Sequence, residues 1–307
     1  MSSLNFDKLY PWKNIETVTI DDQQMVKIPA FYVRCGLAPS GTDTAGRKCW
    51  WVSAAPRAGY HLHPAFIHNG SKLEQFYIGA YEAYNTGDTK AGSAANKSPW
   101  VSIDLSQAKT VCEARNSADG EISGFHLQNY YERSAIALLM MIELGSPDVQ
   151  QKIGAGNSSS SGAVATGKSN AVWRGIHEFW GNVWEWCDGI KTASDGKTIL
   201  VHDNNGMQTY INTGATLPSM SNNGIQSMQD AVGENFDLSD MFIPKEASSS
   251  AAASTFSDSG WMAAGSVKAL LCSGSWGDGA SCGAFAFHAA NAPSSSGTVV
   301  GLRLAKW

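Results

Sequence analysis

The segment that decides the fold is "WRGIHEFWGNVWEWCDGI", Trp173–Ile190. It carries four tryptophans within fourteen residues. That much aromatic surface is costly to expose to water, so we expect these side chains to be buried. The order Trp184-Glu185-Trp186 alternates apolar and polar residues with a period of two, which is typical of a strand. The segment therefore predicts a strand whose tryptophans enter the core.

Two segments on the N-terminal side of it predict helices. Ser102–Asn116 has apolar side chains at helical spacing, namely Leu105, Ala108, Val111 and Cys112. The second helix begins at Asn129, where Asn129 and Glu132 fit a capping box, and ends at Gly145. Because this helix is apolar nearly all round, we expect it at the centre of the core.

Other segments predict strands and loops. Met25–Cys35 and Gln75–Asn85 mix β-branched and aromatic residues in short runs, which indicates strands. "TILVHD" and "QTYINTG" predict a short hairpin after Ile190. The low-complexity stretch 154–170 and the later "EASSSAAASTFSDSG" predict exposed loops. We expect an N-terminal segment over residues 1–24 and one domain over 25–307, elaborated at about 190–267.

Composition excludes several classes of protein. The 307 residues carry a formal net charge of −5 without a basic cluster, which argues against nucleic-acid binding. The 31 glycines indicate an irregular, loop-rich body. The longest apolar run, Ala135–Ile142, is too short to cross a bilayer, and no apolar signal pattern follows Met1. We therefore expect a protein made in the cytoplasm without a signal peptide and without membrane insertion.

Three groups of reactive residues have ordinary structural interpretations. The six cysteines are scattered without a CxxC pair, so we expect free, mostly buried thiols. His61 and His63 share a strand face and lie near His68, which leaves zinc as an alternative, but the apolar neighbours favour packed histidines. Gly162–Ser169 matches the spacing of a phosphate loop, yet no strand precedes it and no helix follows it. Nucleotide binding is therefore disfavoured.

Three motifs in order carry a family resemblance: "GNVWEW" (Gly181–Trp186), "GSW" (Gly274–Trp276) and "GLRLA" (Gly301–Ala305). The series resembles that of the formylglycine-generating-enzyme fold, a large relative of the C-type lectin fold. "FYIGAYEA" and the Asn129 helix resemble the earlier strand and helix of that fold. The resemblance covers about Met25 to Trp307. It implies an α+β, loop-rich C-type lectin-like fold with two main helices and short antiparallel sheets.

The enzyme branch of this fold is a poor match. The oxidase that the motifs resemble uses two copper-binding cysteines just after the GS-aromatic motif. Here "GSWGDGASCGAFAF" contains only Cys282, Asp278 and Gly283 are not cysteines, and Cys272 precedes the motif. One thiol cannot form a two-coordinate copper–thiolate site. We therefore expect no enzyme, and an oxidase or an iron-dependent relative of the fold is the alternative.

The binding branch is a better match. Variable proteins of diversity-generating retroelements bind ligand with the stretch between GSW and GxR, which a reverse transcriptase rewrites at adenines. The resemblance implies such a region at about 276–300, with an ordinary edge loop as the alternative. The expected ligand-binding residues are Trp276, Gly277, Asp278, Ser281, Ala284, Ala286, His288, Ala290, Asn291, Ser295, Gly297 and Val299. The expected scaffold consists of Trp276, Phe285, Phe287 and Pro293.

The identities in that stretch agree with diversification. Every one of nine residues can be reached from an asparagine codon by changes at adenines, namely Gly277, Asp278, Ser281, His288, Ala290, Asn291, Ser295, Gly297 and Val299. "KIPAFYVR" and "GYHLHPAFIHNG" resemble tail receptor-binding proteins of phages and prophages. The resemblance implies a protein or glycan receptor on a host cell surface, a homotrimer, and a place in a virion tail or another surface-exposed assembly. A purely structural tail component is a third interpretation.

A metal site is implied at the GNxWE positions, where Asn182 and Glu185 resemble a calcium-contacting loop of this fold. Oxygen donors at this spacing suit Ca²⁺. The alternative is that Asn182 caps a turn and that Glu185 pairs with Arg174 or Arg303. The sugar-binding calcium motifs EPN, QPD and WND are absent, which disfavours a calcium-bridged carbohydrate. We expect no required cofactor, with structural Ca²⁺ as the one candidate.

Overall fold

The structure is a computed structural model that describes residues 4–87 and 89–307. The first three residues of the expected segment 1–24 thus lie outside the described residues. In the described ranges the α-helices are α1 (Leu105–Glu113), α2 (Tyr130–Leu144) and α3 (Val149–Lys152). None of the helices formed there combines the length and the apolar character that crossing a membrane requires.

The strands are short and numerous, and in chain order the first twelve are β1 (Glu16–Ile20), β2 (Gln23–Pro29), β3 (Tyr32–Leu37), β4 (Lys48–Ser53), β5 (His61–Leu62), β6 (Ile67–His68), β7 (Ser71–Lys72), β8 (Gln75–Gly79), β9 (Tyr84–Asn85), β10 (Ala91–Gly92), β11 (Phe125–Leu127) and β12 (Val172–Trp173). The remaining strands are β13 (Ile176–His177), β14 (Trp184–Thr192), β15 (Thr198–His202), β16 (Tyr210–Thr216), β17 (Ser221–Met228), β18 (Val232–Gly233), β19 (Phe236–Asp237), β20 (Pro244–Ala247), β21 (Ser259–Met262), β22 (Ala269–Cys272), β23 (Phe287–Asn291), β24 (Val300–Gly301) and β25 (Leu304–Lys306). The predicted α+β, loop-rich class is confirmed.

Two sheets form the body of the protein. The first has the order β1-β2-β8-β25-β11, so the last strand of the chain lies between two early ones. The second has the order β16-β15-β14-β22-β23-β21-β17-β20, and β24 pairs with β14 in parallel. A smaller sheet, β4-β3-β5, lies beside them in the order given. β25 pairs with β8 and with β11, which both come much earlier in the chain. The first sheet is therefore completed only when the C-terminal strand joins the early strands.

Helix α2 forms as the sequence predicts. The Asn129 side chain accepts a hydrogen bond from the Glu132 amide at 3.0 Å, and the Glu132 carboxylate accepts one from the Asn129 amide at 2.9 Å. These two bonds satisfy two helix-end amides at once. The helix ends at Gly145, whose φ of 62° a residue without Cβ adopts most easily. Its side chains are buried from Tyr130 to Met140, which confirms the predicted central position.

Helix α1 is shorter than the predicted Ser102–Asn116. It begins after Asp104, whose side chain accepts from the Gln107 amide in a second capping box. Ser102 has a φ of 60° and so cannot continue the helix backwards. The start of α1 is thus fixed by a cap that the apolar spacing alone does not reveal.

The predicted strand over Met25–Cys35 is wrong as one element. It divides into β2 and β3, which belong to different sheets. The division follows Pro29, which has no amide hydrogen to continue a ladder. The predicted strand over Gln75–Asn85 likewise divides into β8 and β9, since the chain turns after Gly79. The predicted hairpin after Ile190 is confirmed as β15 and β16, which pair antiparallel.

The four tryptophans of the deciding segment are buried, as predicted. Trp180 and Trp186 are among the largest fully enclosed side chains, while Trp173 and Trp184 are at most 5% exposed. Trp184-Glu185-Trp186 opens strand β14, which pairs with β22 through Glu185 and Cys272. Because β14 packs on helix α2, its residues link the sheet to the central helix.

Candidate ligand-binding surface

A buried ion pair holds the frame of the candidate surface. The Arg303 Nε donates to Oε1 of Glu185 at 2.8 Å, and the Gln128 amide donates to Oε2 at 2.7 Å. A second guanidinium, that of Arg133, lies 3.5 Å from the same Oε2. Arg174, the other predicted partner of Glu185, pairs instead with Glu143. Inside the core, the negative charge of the Glu185 carboxylate is therefore compensated mainly by the guanidinium of Arg303.

Asn182 connects the GN turn to the low-complexity loop. Its φ is 64°, its Oδ1 accepts from the Asn157 side chain at 2.9 Å and from the Val164 amide at 2.8 Å. Its Nδ2 donates to the buried carboxylate of Glu82. These contacts make Asn182 a turn residue, the second of the two interpretations given by the sequence.

The predicted calcium donors do not fit a calcium ion in this arrangement. Both carboxylate oxygens of Glu185 face nitrogen donors, and two of those donors are guanidinium groups. The Asn182 oxygen already accepts two hydrogen bonds. Calcium requires six to eight oxygen ligands, roughly. An ion between these two residues would have to displace Arg303 or the loop amides, so no step of the function is assigned to calcium.

The GSW motif forms a turn at the end of β22. It follows β22, and a Cβ on Gly274 would collide with the Cys282 Sγ, so glycine is required there. The Ser275 amide and hydroxyl both donate to Oδ2 of Asp278 at 2.7 Å. Asp278 therefore closes the turn with one oxygen. GLRLA, by contrast, begins in β24 and ends in β25.

Hydrogen bonds with Ser158, Ser160 and Gln150 hold the backbone from Trp276 to Cys282. The Trp276 carbonyl accepts from the Ser160 amide at 2.8 Å, and the Gly279 amide donates to the Ser158 carbonyl at 2.7 Å. The Gln150 side chain donates to the Cys282 carbonyl at 2.7 Å. All three bonds reach main-chain atoms of the predicted variable region, so they do not depend on its side chains.

Strand β23 separates inward from outward positions. Phe285 and Phe287, the predicted scaffold, are each 1% exposed. Within β23, His288 and Ala290 alternate with buried Phe287 and Ala289 and are half-buried at the surface. Ala284 and Ala286 are 4% and 2% exposed, so the structure buries these two residues, which the sequence predicts as ligand-binding. Ala284 packs with the two phenylalanines, and Ala286 packs in a second core cluster with Trp184.

The other predicted residues lie at or near the surface. Gly277 is exposed, and the half-buried residues are Trp276, Asp278, Ser281, Asn291, Ser295, Gly297 and Val299. Two of these also hold the backbone: the Gly297 carbonyl accepts from the Ser102 amide at 2.9 Å, and the Val299 carbonyl accepts from the Trp184 amide at 2.8 Å. Pro293, predicted as scaffold, accepts from the Leu105 amide at the start of α1. The stretch is thus joined to the frame at both ends.

An aromatic group lies beside β23, and one of its members was missed. His288 stacks on Trp261 with ring centres 5.5 Å apart, and Trp184 meets their edges at 5.1 and 5.4 Å. Trp261 comes from β21, which pairs with β23 in parallel. "SGWM" reads as a strand, but no local signal pairs it with His288. Trp184 is buried and supports the other two from the core, so we call Trp261 and His288, which are half-buried, the aromatic platform.

The charge state of the platform follows from burial. Burial lowers the pKa of His288 below its ordinary value, and the nearby Asp278 opposes this only in part. The ring is therefore neutral near physiological pH. Its Nδ1 is buried without a hydrogen-bond partner in the described part of the chain. The platform thus offers aromatic surface without a formal charge.

The thiol of Cys282 is enclosed. Its Sγ lies 3.3 Å from the Ser275 carbonyl oxygen, and burial raises the pKa of the thiol well above its ordinary value. All six cysteines are free, four of them buried, which confirms the prediction of mostly buried thiols. A protonated, enclosed thiol is a poor ligand for copper.

The histidine group and the stretch that resembles a phosphate loop lie apart from this surface. Nδ1 of buried His63 accepts from the Ala65 amide, His68 stacks on Trp307, and His61 contacts Asp240. His61 and His63 lie close enough to interact, but the three histidines do not meet at one point. In the stretch that resembles a phosphate loop, the Gly167 and Ser169 amides donate to the Glu178 carboxylate. An internal carboxylate thus occupies the amides that a phosphate would need.

Comparison with known proteins finds distant similarities to solved structures. No protein-family model matches the chain, and no curated protein matches it. Treponema denticola variable protein 1 is 16% identical, with 95% of this chain and 98% of that one covered and a TM-score of 0.43. PvdO from Pseudomonas aeruginosa is 14% identical, with 94% and 97% covered and a TM-score of 0.44. The Major Tropism Determinant I1 variant is 15% identical, with 91% and 72% covered and a TM-score of 0.37.

Proposed function

We propose that this chain is a non-enzymatic ligand-binding protein whose binding surface comprises the outward residues of 276–300 and the aromatic platform. One observation carries the proposal: within residues 276–300, some side chains are buried in the core and others face outward, where they can be replaced without disturbing the core. Phe285 and Phe287 fill the core, whereas His288 and Ala290, which follow on strand β23, face outward. A rigid frame of this kind lets the surface change without unfolding the protein.

The anchoring pattern supports diversification by a retroelement. Three bonds that hold the stretch to the rest of the protein reach the Trp276 carbonyl, the Gly279 amide and the Cys282 carbonyl, all of them main-chain atoms. Rewriting of side chains would therefore leave these bonds intact. Residues reachable from asparagine codons include exposed Gly277 and outward His288.

The proposed partner is a protein or glycan receptor on a host cell surface, and the proposed setting is a phage or prophage tail. An aromatic platform can pack against apolar side chains or against the face of a sugar ring. Small outward residues such as Gly277 and Ala290 make weak individual contacts. A homotrimer would raise the avidity of such contacts by roughly 10²–10⁴ once several sites engage together.

A surface exchange tests the proposal. A variant with five outward residues replaced together, Gly277, Ser281, His288, Ala290 and Asn291, should lose binding to cells of a susceptible host and keep its melting temperature. The matched control replaces Thr19 and Thr216, exposed on β1 and β16. Unchanged cell binding by the five-residue variant would contradict the proposal and favour a structural tail component.

Two further measurements separate the other interpretations. Copper-dependent oxidation of a thiol peptide that Cys282→Ser abolishes would establish the oxidase instead. The DNA beside the gene tests diversification: we expect a near-copy of the segment that encodes residues 277–299, differing at adenines, next to a reverse transcriptase gene. A gene without that near-copy would encode a binder of fixed specificity.

A further inference from the structure

Three metal-ligating side chains meet where the elaboration packs on the early part of the chain. They are His61 in β5, Asp237 at the end of β19, and Asp240 at the end of a 3-10 helix, Leu238–Asp240. One ligand atom of each lies within 4.8 Å of the others. In the described part of the chain this is the one cluster of three or more such residues. It lies outside the aromatic platform and includes neither Asn182 nor Glu185.

Asp240 is the unusual member of the cluster. Its side chain is 0% exposed, and Oδ2 lies 2.6 Å from Nε2 of His61. Its Oδ1 is buried and has no hydrogen-bond partner among the described residues. Buried carboxylates are costly unless their oxygens are hydrogen-bonded, paired with charge or bound to a metal. The free Oδ1 therefore points to a ligand that completes the site.

The other two groups are held ready. Oδ1 of Asp237 accepts from the Ser239 amide at 2.9 Å and so caps the 3-10 helix, while its Oδ2 accepts no hydrogen bond from a described residue. The Ser239 carbonyl accepts from the Trp50 indole at 2.9 Å, which fixes the helix against β4. His61 is 46% exposed and lines a pocket of about 310 Å³ with Asp237.

The charge balance also favours a cation. The Asp237 and Asp240 carboxylates lie close enough to interact unfavourably. Lys48 interacts with both of them, but its ammonium is directed to the Gln229 carbonyl, 2.8 Å away. Part of the remaining charge is offset by the proton that His61 and Asp240 share across 2.6 Å. A divalent ion at the three ligand atoms would take the place of that proton.

We propose that His61, Asp237 and Asp240 bind a divalent transition-metal ion of the Zn²⁺ type. One imidazole nitrogen and two carboxylate oxygens form a donor set that suits zinc and its neighbours in the first row. The ion takes the place of the proton that His61 and Asp240 share, and binding releases that proton. Ligands about 2.0–2.2 Å from one ion lie at most roughly 4.4 Å apart, so a small rotation of His61 or Asp237 completes the site.

The ion would connect β5 of the small sheet to the elaboration, with its remaining coordination position open to water in the pocket. The site does not depend on the proposed receptor-binding function. Its ligands come from residues 61 and 237–240, whereas the binding surface comes from residues 261 and 276–300. Either proposal can therefore fail without the other.

Calorimetric titration of the chelator-treated full chain with Zn²⁺ tests the site. We expect one Zn²⁺ per chain and a rise in melting temperature, and both should be lost in His61→Ala. Asp237→Asn should weaken binding at least tenfold. Titration with Co²⁺ gives a second readout, since visible absorption bands of low intensity report nitrogen and oxygen ligands rather than thiolates.

Control variants keep the test decisive. His68→Ala removes a histidine outside the cluster and Cys35→Ser removes the nearby thiol, and both should bind Zn²⁺ like the parent chain. The circular dichroism of metal-free His61→Ala should match that of the parent, so that lost binding is not lost folding. Absence of Zn²⁺ binding by the parent, or full binding by both His61→Ala and Asp237→Asn, overturns the proposal.

Discussion

Arg303 and Glu185 are 118 positions apart in the chain and form a buried ion pair, with Nε donating to Oε1 at 2.8 Å. The same guanidinium donates to three main-chain carbonyls, those of Gly79, His177 and Glu178. The GLRLA motif is thereby bonded both to the GNVWEW motif and to the end of β8. The two motifs are parts of one contact, which explains physically why a chain with this fold needs both.

Breaking this pair should be strongly destabilising. In Arg303→Met the Glu185 carboxylate stays buried with only Gln128 and the more distant Arg133, so we expect the free energy of unfolding to fall by about 3–5 kcal/mol. Urea titration measures it. The control Lys245→Met breaks an exposed pair with Asp230 and should change stability little.

A double variant sharpens this prediction. Glu185→Gln combined with Arg303→Met removes both charges, so its loss of stability should be smaller than the sum of the two single losses. Additive losses would show that the two side chains act separately, in conflict with the observed contact.

Calcium should have no effect on stability at the GNxWE positions. Guanidinium and amide donors face both oxygens of Glu185, so the melting temperature should be the same with millimolar Ca²⁺ as with a calcium-selective chelator. Differential scanning fluorimetry measures this. A rise with Ca²⁺ that Glu185→Gln removes would mean that the ion displaces Arg303, and the structural assignment of Glu185 would then be wrong.

The sequence places Ala286 and Ala290 in one binding region, but substitution should lower the free energy of unfolding strongly at Ala286 and little at Ala290. Ala286 is 2% exposed, so Ala286→Asp buries a carboxylate and should lower the free energy of unfolding by more than about 3 kcal/mol. Ala290 is half-buried on the outward face, and Ala290→Asp should change it by less than about 1 kcal/mol. Denaturant titration of both variants tests whether Ala286 faces the core and Ala290 faces the surface.

The elements that the sequence predicts correctly are those whose signals are local. Helix α2 depends on a capping box at Asn129 and a glycine at 145, both within its own segment. Strand β14 follows from the alternation at Trp184. The elements that were predicted wrongly depend on distant partners or a single break: Pro29 divides a run that has uniform strand propensity.

The candidate site shows the same limit. Motif order located the stretch 276–300 and its buried Phe285 and Phe287. It did not reveal Trp261, because the parallel pairing of β21 with β23 joins segments with no common local pattern. Nor did it bring Asp240 to His61, 179 positions away. Contacts of this kind follow from how the elaboration packs, which depends on the whole core.

The pH dependence of stability should contain a contribution from Asp258, which lies buried under the binding region and accepts from the Phe285 amide at 2.8 Å. Burial raises the pKa of this carboxyl well above its ordinary value of 3.8. Above that ordinary value the unfolded chain has released the proton while the folded chain keeps it. The contribution to stability is therefore full below the ordinary value and is lost as the pH rises through the raised pKa.

Asp258→Asn should remove this contribution, because the amide oxygen can still accept from Phe285 but does not titrate. The variant should lose less stability than the parent as the pH rises from about 4 to about 8, which urea titrations across that range measure. Asp230 serves as the control, because its hydrogen bond with Lys245 lowers the pKa of the Asp230 carboxyl. The contribution of Asp230 to stability therefore increases with pH, whereas that of Asp258 decreases. Identical pH profiles for the parent and Asp258→Asn would mean that the Asp258 carboxyl is ionised in the folded protein, and its burial would then need a cationic partner.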